Sequence, residues 1–223
     1  KTARFARFQA AEVAYNLKHN RKLVEAFGRF APDSEKTDIA WRPATGDIMV
    51  VGRTRDAQSG QLTMRAVGMG GQILGMEATT VIIDDVTDGA ISRSETRREE
   101  LLTWVKEEVL TRLMPGGRAV VVGQRVHFLD IYGALASETY VRDTSTKKRG
   151  DPLWTTITHP AVVDWDKELS LWPEERPFDY LMEQMERIGS TSFETMFQQE
   201  PLPAGSRLVQ PEWWERCRDK ERN

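Results

Sequence analysis

The chain has 223 residues, 39% hydrophobic and 29% charged, the composition of a folded globular protein with room for one large domain, or one domain and part of another. Its formal net charge of −3 excludes a global basic field, so any contact with a polyanion must be local. A single cysteine, Cys217, excludes an internal disulfide framework and fits a reducing cytoplasm; no apolar run reaches membrane-spanning length, and the N-terminus lacks the apolar core of a signal peptide.

The opening residues, KTARFARFQAAEVAYNL, lack an initiator Met and already read as helix, and the ending PEWWERCRDKERN shows no closing element; the chain reads as an excerpt of a longer protein. Over residues 2–18, Phe5, Phe8, Val13 and Tyr15 recur among Ala, Arg and Lys in a loose helical pattern. A second short helix is predicted over RKLVEAF, stopping at Gly28, and Phe5, Phe8 and Phe27 are core candidates. DIMVVG (47–52) and LTMRAVG (62–68) read as strands separated by a polar turn around Ser59 and Gly60. GMGGQILG is then a glycine-rich connection into a strand at 78–83.

The strongest helix signal follows. Ser92 and Glu95 have capping-box spacing, in which each side chain satisfies a free backbone donor. Leu102, Val105, Val109 and Leu113 line one face, and PGG (115–117) stops the helix. RAVVVG (118–123) is a second continuous apolar strand, ending at Gln124, and another helix starts near Leu129 with Asp130 in its first turn. Strands without alternation are expected to be buried on both faces, and here they alternate with helices. That pattern predicts an α/β layer fold with a mainly parallel sheet. RDTSTKKRGDPL (142–153) is a polar loop and LWTTITHPAVV a last strand. From Asp164 onward Pro, Trp and Glu become frequent, and two helices, near 176–188 and 191–199, form a connecting module. Trp172, Trp213 and Trp214 read as packing anchors.

The chemistry concentrates in TTVIIDDVTDG, residues 80–90, where a β-branched run ends in Asp84 and Asp85 with Asp88 close behind. Adjacent carboxylates repel and are costly to desolvate, so something must compensate them. In open α/β sheets ligands sit beyond the carboxyl ends of the strands. An apolar strand ending in two acids is the Walker B pattern, in which the first carboxylate holds Mg²⁺ and the second polarises the attacking water. A divalent cation would offset the repulsion. The plainer alternative is a solvated turn or a helix cap. The usual second acid is Glu, so Asp85 is one methylene shorter. Gln124, at the end of the neighbouring strand, suits sensing of a γ-phosphate. No cysteine lies near the histidines, and a zinc site is not expected.

The segments FGRF…W, GMGGQILGMEATTVIIDDVTD, LTRLMPGGRAVVVGQRVHFLDIYGAL, ITHPAVV…LWPEE and FETMFQQEPLP, in this order, resemble the large terminase subunit of tailed bacteriophages over nearly the whole chain. Members of that family are DNA-packaging motors with an N-terminal RecA-like, ASCE-type P-loop ATPase domain and a C-terminal RNase H-like nuclease. The resemblance implies Asp84 as the Mg²⁺ and ATP-binding carboxylate, Asp85 as the catalytic carboxylate, and Gln124 with Arg125 as the coupling element, where relatives often carry Thr. QRVHFLD resembles the family segment TRWHxxD and implies supporting roles for His127 and Asp130. On the residues alone, Asp130 also suits a helix cap and His127 the orientation of a turn.

The P-loop signature G-x-x-x-x-G-K-[ST] is absent, and GMGGQILG lacks both its Lys and its hydroxyl. The resemblance implies that the P-loop precedes Lys1 and that the nuclease carboxylates follow PEWWERC. Residues 1–163 would then be ATPase domain downstream of the P-loop, and 164–223 a helical linker with the start of the nuclease. On this reading the isolated chain binds ATP poorly and does not turn it over. An arginine finger is expected shortly before the Asp pair; Arg65 and Arg53 are the nearest upstream candidates, and Arg93, Arg97 and Arg98 the downstream ones. The implied partners are double-stranded DNA, a portal protein, a small terminase subunit and further copies in a ring, with no membrane, in the host cytoplasm at the procapsid portal. TKKRG (146–150) is a candidate for DNA phosphate contact. A helicase-type P-loop ATPase and a non-catalytic interaction fragment are the competing readings; FETMFQQEP in place of a second RecA-like domain argues against the helicase.

Overall fold

A computed structural model describes residues 3–27, 39–42, 47–50, 64–73 and 75–203. The chain is mixed α/β with a small parallel sheet, and it divides into two compact units. One unit comprises the residues up to Val86 together with Glu100–Val120; the other comprises Thr87–Glu99 and the residues from Val121 onward.

In the first unit, helix α1 (Ala3–His19) and helix α2 (Arg21–Phe27) precede an antiparallel sheet of β1 (Ile39–Arg42), β2 (Asp47–Val50) and β3 (Met64–Arg65). Asn20 joins the two helices: its carboxamide oxygen accepts from the Lys22 and Leu23 amides, as an N-cap does. The residues α1 buries are Ala10 and Ala14, whereas Phe5, Phe8 and Phe27 are exposed, so the expectation that these aromatics form core is overturned. Small side chains let the helix approach β1 and β2, and the phenylalanines lie outside that face. β1 was not anticipated. Of the described residues of LTMRAVG, 64–68, Met64 and Arg65 are strand; Leu62, Thr63 and the turn at Ser59 and Gly60 lie outside the described residues.

The glycine-rich segment leads into β4 (Ala78–Asp84), which pairs with β5 (Leu113–Val122) as the parallel sheet. Neither strand is buried on both faces, contrary to the reading of the apolar runs. Ile83 is buried while its neighbour Ile82 is 66% exposed, and β5 alternates from Gly117 to Val122, with Val120 45% exposed. One face of this pair is covered; among the described residues the other is not.

Asp84 and Asp85 end β4, and a short helix, α3 (Gly89–Arg93), belongs to the second unit. Its cap is Asp88, whose carboxylate accepts from the amides of Ala90 and Ile91, both at 2.8 Å. The expected Ser92–Glu95 capping box does not form. Ser92 lies inside α3 and its hydroxyl donates back to the Asp88 carbonyl at 2.6 Å, while α4 (Glu95–Thr103) starts after Ser94. Asp is the stronger cap here because one carboxylate oxygen reaches two free donors.

α4 widens into a π-helical stretch, Trp104–Val109, and closes as a 3₁₀ turn, Leu110–Arg112. Val105 and Val109 are buried as the predicted stripe has them, but its first position is Leu101, with Leu102 only partly buried. Leu113 is no longer helix: β5 begins there and includes Pro115, Gly116 and Gly117, which were expected as the stop.

The second unit continues with α5 (Ile131–Ala136), an antiparallel pair of β6 (Val162–Asp164) and β7 (Leu169–Ser170), then α6 (Phe178–Ile188) and α7 (Ser190–Met196). The last strand is thus two residues of LWTTITHPAVV, Val162 and Val163, with Asp164 beyond it, not the whole run. The two final helices fall near the predicted 176–188 and 191–199, but the second stops at Met196, three residues early. Val162, Leu181 and Phe193 form the core here, with Phe178, Met185 and Phe197 packed around them. Phe193 and Phe197 stack at 4.9 Å, and Trp165 sets its ring edge-on to Phe193 and to Phe178. Trp172 is 59% exposed, contrary to the expectation of a packing anchor; Trp213 and Trp214 lie outside the described residues.

Candidate functional site

β4 places its two terminal carboxylates differently. Asp84 is exposed, whereas Asp85 is half-buried and adopts φ 45°, the left-handed region. A β-branched residue would be strained there; Asp is among the few non-glycine residues that visit it readily. That conformation ends the strand at once and gives the shorter acid a local reason to occupy the position. Backbone conformations of this kind persist where surrounding structure enforces them, and they cluster at functional sites. Asp88 makes no third member of an acidic cluster. Its carboxyl is held below the usual carboxylate range, chiefly by the hydrogen bond from the Ile91 amide. Among the described residues no group of three or more His, Cys, Asp or Glu could hold a metal ion.

The loop after β5 is built around Asp130. Its carboxylate is fully buried and accepts from Arg125 Nε at 2.8 and 3.0 Å, from the Val126 amide at 3.0 Å, the His127 amide at 3.3 Å and the Gly133 amide at 2.9 Å. The last of these caps α5. A charge enclosed this completely is tolerable only when paired and fully hydrogen-bonded, as it is here. Arg125 also donates to the Phe128 carbonyl at 3.2 Å. Gly133 makes room for that guanidinium: a Cβ at this position would lie 2.5 Å from Arg125 Nη2.

His127 Nδ1 accepts from the Leu129 amide at 3.0 Å, which puts the proton of the neutral ring on Nε2. Burial lowers its pKa, the positive charge of Arg98 lowers it further, and Asp130 partly opposes both. Arg125, His127 and Asp130 therefore come together as one hydrogen-bonded turn, matching the cap and turn roles their residue types suggest.

Gln124, at the start of this loop, is exposed, and its amide nitrogen donates to the Met196 carbonyl at 2.6 Å. The adjacent Arg125 amide donates to Gln199 Oε1 at 2.8 Å, and Gln199 Nε2 returns to the same Met196 carbonyl at 2.6 Å. Gln198 does the complementary work: its buried carboxamide accepts from the Val162 amide at 2.8 Å and donates to the Val162 carbonyl at 3.1 Å, as a neighbouring strand would. MFQQ, residues 196–199, thus ties the loop after β5 to the core of the helical module. Sequence reasoning found the segment but gave its two glutamines no role. Paired Gln residues bonding distant backbone leave no periodic trace.

Of the arginine-finger candidates, Arg98 donates to the Ser92 carbonyl at 2.6 Å and is half-buried, while Arg93 and Arg97 are exposed. Arg65 reaches Met76 Sδ at 3.3 Å, and Arg53 lies outside the described residues. No protein-family model and no curated protein matches the chain. Among the described residues no helix is long and apolar enough to cross a membrane.

Proposed function

We propose that this chain is the rear part of the ATPase domain, with the linker to a nuclease domain, of a genome-packaging motor of the large terminase subunit type. The supporting observation is the parallel pair β4–β5: β4 ends in Asp84 and Asp85, and β5 runs into the loop Gln124–Asp130, in the motif order of that family. A RecA-like core is the finer form of the α/β fold that this function requires.

Asp84, exposed at the strand end, is open to a hydrated cation, and Mg²⁺ is ordinarily held by one or two carboxylates with waters and phosphate oxygens. The residues therefore fit the ion without a larger ligand cluster. When bound, Mg²⁺ supplies charge neutralisation at the ATP phosphates. Asp85 orients the attacking water and accepts its proton, with its position set by the left-handed turn that ends β4. Gln124 and Arg125 carry the resulting change along the bonds to Met196 and Gln199, and so into α6 and α7. The partners on this reading are double-stranded DNA, a portal protein, a small terminase subunit and further copies in a homo-oligomeric ring, in the host cytoplasm at the procapsid portal.

The test is a split between binding and turnover in the complete protein. Asp84→Asn weakens Mg²⁺-dependent hydrolysis by removing the charge that faces the metal. Asp85→Asn spares nucleotide binding and lowers turnover by roughly 10²-fold or more. Equal loss of binding and turnover in Asp85→Asn would reassign it to folding or metal binding.

A further inference from the structure

The polar loop between α5 and β6 is an ordered hairpin. The Tyr140 amide donates to the Asp151 carbonyl and the Gly150 amide to the Tyr140 carbonyl, both at 2.9 Å, and a bridge between Thr139 and Pro152 closes its base. At the tip, the Thr144 amide donates to the Lys147 carbonyl at 2.7 Å, and Thr144 Oγ1 accepts from the Lys147 amide at 2.9 Å. Gly150 has φ 92°, a conformation that an L side chain would strain.

The two acids of the hairpin are turned onto its backbone. Asp143 Oδ1 accepts from the Arg149 amide at 2.8 Å and Asp151 Oδ2 from the Lys148 amide at 2.9 Å. The cations are left out of this scheme. Arg142, Lys147, Lys148 and Arg149 are exposed, and among the described residues no acid pairs with their side chains. The acids therefore hold the tip's shape while the cations face water. That arrangement costs the protein little entropy when a ligand is bound, because the backbone is already fixed.

We propose that this hairpin is a phosphate-gripping finger that contacts the backbone of double-stranded DNA without reading its sequence. The inference rests on the packaging-motor reading only for the choice of duplex DNA among polyanions. Three consecutive cations on a fixed turn suit a regular line of phosphates. Base stacking and the Asn or Gln pairing to adenine are not provided for. The tip from Val141 to Gly150 has no aromatic residue for stacking and no Asn or Gln for base edges, and Trp154, beyond the base, uses its Nε1 on Glu138. In a chain of formal net charge −3, such a local cluster offers a polyanion an attraction that the chain as a whole does not.

The experiment measures binding of the 223-residue chain to a short mixed-sequence DNA duplex by fluorescence anisotropy across a salt series, without nucleotide. Replacing Lys147, Lys148 and Arg149 together by Gln is expected to weaken binding at low salt by about tenfold or more. The slope of log K against log salt should fall by about 2 to 3, near 0.9 per lost phosphate contact. Lys147→Arg with Lys148→Arg keeps the parent slope, and Arg187→Gln, an exposed cation elsewhere, leaves it nearly unchanged. Circular dichroism of the triple variant should match the parent, because the replaced side chains make no bond. An unchanged slope in the triple variant overturns the proposal, as does failure of the parent to bind duplex. Tighter binding of polyglutamate than of duplex overturns it in favour of an acidic protein partner. None of these outcomes involves hydrolysis, so a failure here is distinguishable from failure of the ATPase reading.

Discussion

Asp84, the last residue of β4, and Asp130, the cap of α5, are both carboxylates at the edge of a regular element, yet they are treated in opposite ways. Asp84 stands exposed at the end of a strand whose Ile82 is also left in water. Asp130 is enclosed, with its oxygens taken up by one guanidinium and three backbone amides. The saturated carboxylate has no capacity left for a ligand; its work is to fix the loop after β5 and start α5. The accessible one has capacity to spare, and chemistry is more reasonably sought there. The same contrast separates the acids of the 140–151 hairpin, which are spent on backbone, from its cations, which are not.

This contrast can be broken in graded ways. The largest effect is the loss of turnover in Asp85→Asn described above; a similar loss from a change confined to the Asp130 network would erase the distinction. Next comes stability. Asp130→Ala removes the cap and leaves the Arg125 guanidinium without its partner, and is expected to cost about 3 to 5 kcal/mol in denaturant unfolding. Asp130→Asn keeps one acceptor oxygen, for the Gly133 amide or for the Val126 and His127 amides but not for both sets, and should recover part of that loss. A cost under about 1 kcal/mol for Asp130→Ala would show that the network does not hold the loop.

The smallest effect is in pH dependence. The His127 pKa is depressed from its ordinary value of 6.5, chiefly by burial, so the folded state favours the neutral ring. Its contribution is fully present above 6.5 and is lost as pH falls through the lowered folded value, where the ring must charge beside Arg98. Stability measured between neutral pH and the acid side should therefore fall less in His127→Asn than in the parent. An identical fall would remove His127 from the account.

What could be read in advance follows the same division. β4, the two last helices and the Asp130 cap were legible because each is written in neighbouring residues: a β-branched run, an amphipathic repeat, an Asp one residue before a helix. The cap at Ser92 was misread because Asp88, with a carboxylate that reaches two amides, caps α3 while the Ser92 hydroxyl folds back on the Asp88 carbonyl; α4 starts instead behind Ser94, whose Oγ accepts from the Arg97 amide at 3.4 Å. Phe5 and Phe8 were misread because hydrophobicity alone does not say which face of a helix is covered; Ala10 and Ala14 mark that face. Of the candidate site, the residue identities at 84, 85, 124, 125, 127 and 130 could be named, but the bonds from 124 and 125 to residues 196 and 199 could not. Contacts across more than 70 positions made by amide side chains have no local signature.

The central claim is that Gln124 links events at the strand ends to the helical module, so the most direct measurement is base pairs packaged per ATP hydrolysed, with both quantities read in one reaction of the complete protein. Gln124→Ala removes the hydrogen bond to the Met196 carbonyl at a stability cost of only about 0.5 to 1.5 kcal/mol, which the fold should survive. The account predicts that ATP binding persists while the ratio of DNA packaged to ATP hydrolysed drops. An unchanged ratio would contradict it and place Gln124 among the residues that merely hold the loop in place.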